Sequence, residues 1–205
     1  MTKESDILKI VKEDILEVVG RKNKRTPLKF MKLEVTVSHS VVSKAIKELE
    51  EEGLIKISSE KRPWKEYIQL TKEGQVRANA IIKKHSVLEK YFFKERRSEE
   101  EAIEATNILE HYISTEVIDT IKKLSTLKKK GIPLTEFKQE EGLIANINLN
   151  IGLFERVISM GIYPGEKIRI TDKIPNGIII EIKNKKFVLD NNIAKEIKVL
   201  EYEKS

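Results

Sequence analysis

LKFMKLEVTVSHSVVSKAIKELEEEGLIK, residues 28–56, reads as a short helix, a tight turn, an amphipathic helix and then Gly53-Leu54-Ile55 entering a strand. That order predicts a helix-turn-helix running into a wing, the unit that lays a helix in the major groove of DNA. In the second helix Val42, Ala45, Ile46 and Leu49 recur at helical spacing, which predicts a buried face. Ser40, Ser43, Lys44 and Lys47 fall mostly on the opposite face, where short hydroxyls and ammonium groups suit phosphates and base edges. Ser38 or His39 opens the helix, and Ser38 is the better N-cap because its hydroxyl can accept an orphan N–H. Gly53 stops the helix. A duplex would repel the Glu48, Glu50, Glu51 and Glu52 carboxylates, so only the N-terminal half is expected in the groove. An ordinary surface helix pair in an all-α domain has the same periodicity. The hairpin that follows favours the DNA-binding reading, with Ser38, His39, Ser40, Ser43, Lys44 and Lys47 as candidate contacts.

Downstream, residues 54–58 and 66–71 predict two short strands around SSEKRPWKE. Lys61, Arg62 and Lys65 would make a basic wing tip that reaches phosphate or the minor groove. Pro63 orders that turn, and Trp64 is expected to shield the hairpin. Upstream, Ile7, Leu8, Val11, Ile15, Leu16, Val18 and Val19 predict a first helix over residues 6–20. The basic run RKNKRTPLKFMK, residues 21–32, is either a solvated loop or a contact to the phosphate backbone.

Beyond the hairpin the periodicity predicts a long helix over about 72–94, opened by Thr71, then helices over roughly 98–112 and 115–129, the last capped by Ser114. Residues 131–141 read as a linker after Lys128-Lys129-Lys130. From Gly142 the texture changes to strand-like segments at LIANIN, EKIRITD, GIIIEIK and KKFVLD, with a short helix at 152–160. Many short strands separated by Pro-Gly, Asn-Gly and Lys-Asn-Lys turns predict a small β-barrel. The expected organisation is α+β and multidomain: a winged helix-turn-helix over 1–71, a helical domain over 72–130, the linker, and the barrel over 142–205.

Composition limits the chemistry. The 205 residues carry a net charge of +6, which permits nucleic-acid binding without demanding it. There is no cysteine, so disulfides, zinc knuckles and thiolate chemistry are excluded. No Gly-rich phosphate loop or nucleophile–base pair argues for an enzyme. No apolar run approaches membrane-spanning length, and a cytoplasmic location is the default expectation.

Nitrogen and oxygen donors do fall at helical spacing. His85 and Glu89 are i, i+4, and Glu110-His111 follow Asn107 and Glu104 by a turn or two. Asp14 and Glu17 form an i, i+3 carboxylate pair on the first helix. A mixed imidazole and carboxylate set without thiolates favours manganese or ferrous iron over copper. Carboxylates are common in this chain, however, so their spacing is weak testimony on its own.

The order of parts resembles the diphtheria toxin repressor and manganese transport regulator family. The matching stretches are VSHSVVSKAIKELEEEGLI, IQLTKEGQ, IIKKHSVLEKYF and ATNILEHYIS. The segment GLIANINLN…VISMGIYPGEKIRI…FVLDNNIAKEIKV resembles the FeoA-like, SH3-like barrel appended to many members. The resemblance implies a homodimer that binds palindromic operators when loaded with Mn2+ or Fe2+ and represses genes of metal homeostasis. Carried over, it implies metal ligation by Asp14, Glu17, His85, Glu89, Glu110 and His111. Two positions depart: Asn107 stands where the family has glutamate or cysteine, and Ile103 where the iron branch has a second-site histidine. An amide ligates through its carbonyl oxygen but brings no charge, which lowers affinity. The alternatives are a winged-helix regulator of the same architecture that is not metal-activated, and a barrel that itself binds a protein partner.

Overall fold

The apolar stripe of the second helix decides how the N-terminal part assembles. In the computed structural model, which describes residues 3–22, 24–29, 31, 37–59, 66–96, 98–127 and 131–201, that helix is α2 (His39–Glu51). Its buried residues are Val42, Ala45, Ile46 and Leu49, the stripe expected from spacing. They pack on Val11, Ile15, Leu16 and Val19 of α1 (Lys3–Lys22). Gly53 ends α2 at a φ of +71°, and Leu54 N–H donates to the Leu49 carbonyl at 2.9 Å, the long-range bond of a Schellman closure. Leu28, Lys29 and Met31 are helical, and Met31 is fully buried. The remainder of the first helix of the helix-turn-helix lies outside the described residues.

The expected wing strands are β2 (Ile55–Ser59) and β3 (Glu66–Leu70), paired antiparallel. A short strand β1 (Thr26–Pro27) pairs with β3, completing a three-stranded sheet. Part of the basic run is therefore structured: Arg25 donates to Ser58 Oγ at 2.9 Å and lies 4.8 Å from the centroid of the Tyr67 ring. Thr71 then caps α3 (Lys72–Glu95), accepting from Gly74 N–H at 3.0 Å.

Gly74 is there for space. A Cβ built on it would lie 1.8 Å from the Leu54 carbonyl oxygen. In an open helix Gly→Ala stabilises by roughly 1 kcal/mol. Here Gly74→Ala should instead destabilise by about 1–3 kcal/mol, the usual cost of overpacking. A thermal melt of the variant that matches or exceeds the parent would show that this contact relaxes freely.

The chain separates into two compact units, residues 1–84 and 85–205. The second unit holds the α3 residues from His85 on, α4 (Glu99–Leu109) and α5 (Thr115–Leu124), followed by a six-stranded antiparallel sheet. Ser98 caps α4 by accepting from Glu101 N–H. Ser114 occupies the N-cap of α5, but its hydroxyl bonds the Glu116 side chain, whose pKa is thereby lowered, rather than a backbone N–H.

The sheet runs in the order β4-β9-β5-β6-β7-β8. Its strands are β4 (Ile132–Pro133), β5 (Glu141–Ile147), β6 (Lys167–Ile174), β7 (Gly177–Ile182), β8 (Lys185–Asp190) and β9 (Ile197–Glu201). The expected barrel is corrected here: β4 and β8 are edges, so among the described residues the sheet stays open. Helix α6 (Ile151–Ser159) and the helices of the same unit cover its apolar face, which a closed barrel would have turned inward on itself. The stretch 131–141 is also not a bare linker. Its Ile132 and Pro133 pair with β9, and Leu134 and Phe137 are buried in the core. The Lys183-Asn184 turn joins β7 to β8 with both residues at positive φ, as a type I′ hairpin requires. A last single-turn helix, α7 (Asn191–Ala194), precedes β9.

Helices and sheet share one core in this unit. Leu88, Tyr91 and Phe92 of α3 cluster with Ile144, Phe154, Ile158 and Ile180. By spacing alone Leu88, Tyr91, Phe92, Ile108, Tyr112 and Val117 suit a dimer face and a core equally well; the fold buries Leu88, Tyr91 and Phe92 in the core, half-buries Ile108 and Val117, and leaves Tyr112 exposed. The Phe92 and Phe154 rings meet edge to face at 5.7 Å. The Tyr91 hydroxyl donates to the Ala145 carbonyl, and burial pushes its pKa well up, so it stays a donor. Arg96 stacks 4.3 Å from the Phe154 centroid and donates to the Leu149 carbonyl at 2.7 Å. Asn146 Nδ2 donates to Glu95 Oε2 at 2.7 Å.

Candidate metal centre and nucleic-acid interface

The face of α2 opposite its buried stripe carries His39, Ser40, Ser43, Lys44 and Lys47, all exposed, and Ser38 at the N-cap is exposed too. The Ser38 hydroxyl lies 3.0 Å from Ser40 Oγ rather than on a backbone N–H, so the capping position is as expected and the capping bond is not. Lys47 pairs loosely with Glu51 at 3.7 Å, one turn on. Toward the C-terminal end, Lys12 of α1 bridges Glu48, at 3.3 Å, and Glu52. That ammonium neutralises part of the acidic end, which separates a basic N-terminal half of the helix from a tied-down C-terminal half. Lys61, Arg62 and Lys65 of the wing tip lie outside the described residues.

The histidines of the second unit converge on one carboxylate. His85 sits at the point where α3 enters this unit, and Glu110-His111 end α4. His85 Nδ1 lies 2.9 Å from Glu110 Oε2, and His111 Nε2 lies 3.7 Å from Glu110 Oε1. The Glu110 side chain is only 5% exposed, so a buried carboxylate is held between two imidazoles. A buried charge is costly unless paired, and here both of its oxygens face ring nitrogens. The donors are borderline nitrogen and hard oxygen with no sulfur, which fits a divalent first-row metal. Packing supports the cluster: Ala102, Ala105, Thr106 and Leu109 are the buried side of α4, and the Thr106 hydroxyl is satisfied within the helix by the Ala102 carbonyl at 2.8 Å.

The other candidates have different settings. Glu89 follows His85 by one turn and is half-buried. Asn107 and Glu104 are exposed, and Ile103 is 42% exposed. In the first unit Asp14 is half-buried and Glu17 is buried, both on α1. Three ion pairs there are not among the sequence expectations. Arg21 donates to Glu17, and buried Glu13 lies 3.9 Å from Lys84 and 4.0 Å from Arg77. The i, i+4 spacing of Glu17 and Arg21 was a readable signal for the first.

Comparison with known proteins gives two family matches. Residues 71–127 match the model described as iron dependent repressor, metal binding and dimerisation domain. Residues 132–201 match the FeoA domain. No curated protein matches the chain. Among solved structures, the manganese regulator SloR is 20% identical over 93% of this chain and 98% of its own, with a TM-score of 0.46. A manganese-dependent transcriptional repressor complex with manganese is 19% identical over 92% and 98%, also at 0.46. T. acidophilum IdeR is 18% identical over 97% of both chains, at 0.41.

Proposed function

Because the chain belongs to the diphtheria toxin repressor and manganese transport regulator family, with an iron-dependent-repressor metal-binding and dimerisation segment followed by a FeoA-like domain, we propose that it is a dimeric, metal-dependent DNA-binding repressor of metal homeostasis. The observation that carries this reading is the Glu110 carboxylate buried between His85 and His111, inside the segment matched as metal-binding. The proposed ligands are His85, Glu89, Glu110 and His111, joined by Asp14 and Glu17 as the family resemblance implies, with Asn107 as a weak neutral donor. A bound Mn2+ or Fe2+ would supply positive charge that offsets the carboxylates.

The rest is done by the chain. His85 and His111 hold Glu110 in place and present ring nitrogens. Asp14 and Glu17 add two further carboxylates from α1. Without a cation these acids repel one another, so closing the set shifts the population toward one arrangement of the DNA-binding unit. In a dimer, that arrangement presents two copies of α2 to successive major grooves of a palindrome. His39, Ser40, Ser43, Lys44 and Lys47 make the contacts on α2, and Lys61, Arg62 and Lys65 those of the wing. A repressor's metal-binding and dimerisation domain, rather than an enzyme, is what the model matched over residues 71–127 describes. No helix among the described residues is long and apolar enough to cross a membrane.

The competing reading, a regulator of this architecture without metal activation, draws on the uncharged, exposed Asn107. Gel shifts on a palindromic operator with manganese, ferrous iron, cobalt, zinc or chelator separate the two. Metal-stimulated binding supports the proposal, and equal binding in chelator overturns it. The double variant Lys44→Ala, Lys47→Ala should lower the slope of log affinity against log salt by about 2, roughly one unit for each ammonium group withdrawn from a phosphate. An unchanged slope would place α2 outside the groove.

A further inference from the structure

Glu17 is buried on α1 with its side chain 11% exposed, and Arg21 sits one turn after it on the same helix. Arg21 Nε lies 2.8 Å and Nη2 2.6 Å from the same carboxylate oxygen, Oε1. A guanidinium usually meets a carboxylate with one N–H on each oxygen; here both fall on one. The Arg21 side chain is itself 46% exposed, so the pair sits at the rim of the buried acid rather than beneath it. Its helix places it past the end of the buried stripe Val11, Ile15, Leu16 and Val19, so its position serves the carboxylate and not the core.

We propose that Arg21 is a built-in counter-cation that weakens divalent metal binding at Glu17, setting the metal concentration at which the protein responds. The inference rests on the proposed role of Glu17 as a metal ligand. In the metal-free chain the guanidinium neutralises Glu17 and lowers the repulsion between the acids of α1. When a cation arrives, the guanidinium and the cation share one carboxylate and repel each other. A neighbouring single charge against a divalent ion, at water-like screening, amounts to about tenfold in the binding constant. A residue acting only to orient Glu17 would have the opposite sign: its loss would weaken metal binding.

The sign makes the proposal testable on the full chain. Free Mn2+ is followed by its electron paramagnetic resonance signal while parent, Arg21→Gln, Arg21→Lys and His111→Ala proteins are titrated. Arg21→Gln should bind Mn2+ about tenfold more tightly, with Arg21→Lys near the parent because the charge is kept. Unchanged or weaker binding by Arg21→Gln, with His111→Ala showing lost binding, overturns the role of Arg21 and leaves the metal site standing. Parent-like binding by His111→Ala overturns the metal site, and this proposal with it. A thermal melt in chelator shows that each variant is folded.

Discussion

His111→Ala should abolish metal-stimulated operator binding while the metal-free protein keeps its fold. The argument is local. His111 ends α4 with its side chain 12% exposed, and its ring faces Glu110 at 3.7 Å. Removing it takes one nitrogen donor from the set but leaves Glu110 paired with His85 at 2.9 Å, so no buried charge is orphaned. Losing an outer partner of a metal site already costs about 10–100-fold in affinity, and losing a ligand costs more. Asp14→Ala should act in the same direction through the acid set of α1. Calorimetric titration with manganese and a gel shift read the result. A variant that keeps both the heat of binding and the metal-dependent shift ends the assignment of His111.

The second large effect belongs to the core. Phe92 is fully buried and meets both Tyr91, at 5.0 Å, and Phe154, at 5.7 Å. Truncating a buried phenylalanine costs about 3–5 kcal/mol in transfer energy and cavity. Because Phe92 lies between the helices and the sheet, Phe92→Ala should lower the urea midpoint of the whole second unit rather than release one part of it. Two separated transitions, with the sheet unfolding at its parental midpoint, would show that the shared core does not couple them.

The parts of this fold that were legible in the sequence are those written in local periodicity. Val42, Ala45, Ile46 and Leu49 announce α2, and Gly53 its end, because a 3.6-residue repeat and a left-handed glycine are local properties. The long helix, the wing strands and the Lys183-Asn184 hairpin are legible for the same reason. Long-range pairing was not. Thr26-Pro27 and Ile132-Pro133 are too short to show alternation, and each becomes a strand only because β3 or β9 offers an edge. The open sheet was missed because strand count does not reveal whether the ends meet. At the candidate site, spacing gave Glu110 and His111 as neighbours. Only the fold brings His85 onto the same carboxylate, across twenty-five positions of chain. The pairing of Arg21 with Glu17 is legible only as i, i+4 spacing, because by composition Arg21 merges into the uniform basic run that follows it.

The clasp of Tyr91, Glu95 and Arg96 on Ala145, Asn146 and Leu149 bears on how this protein is divided. The two matched families abut between residues 127 and 132, which marks a seam of ancestry. It is not a seam of architecture. Leu88, Tyr91 and Phe92, which follow His85 on α3, are covered by apolar residues of the appended module, so neither part keeps its interior dry without the other.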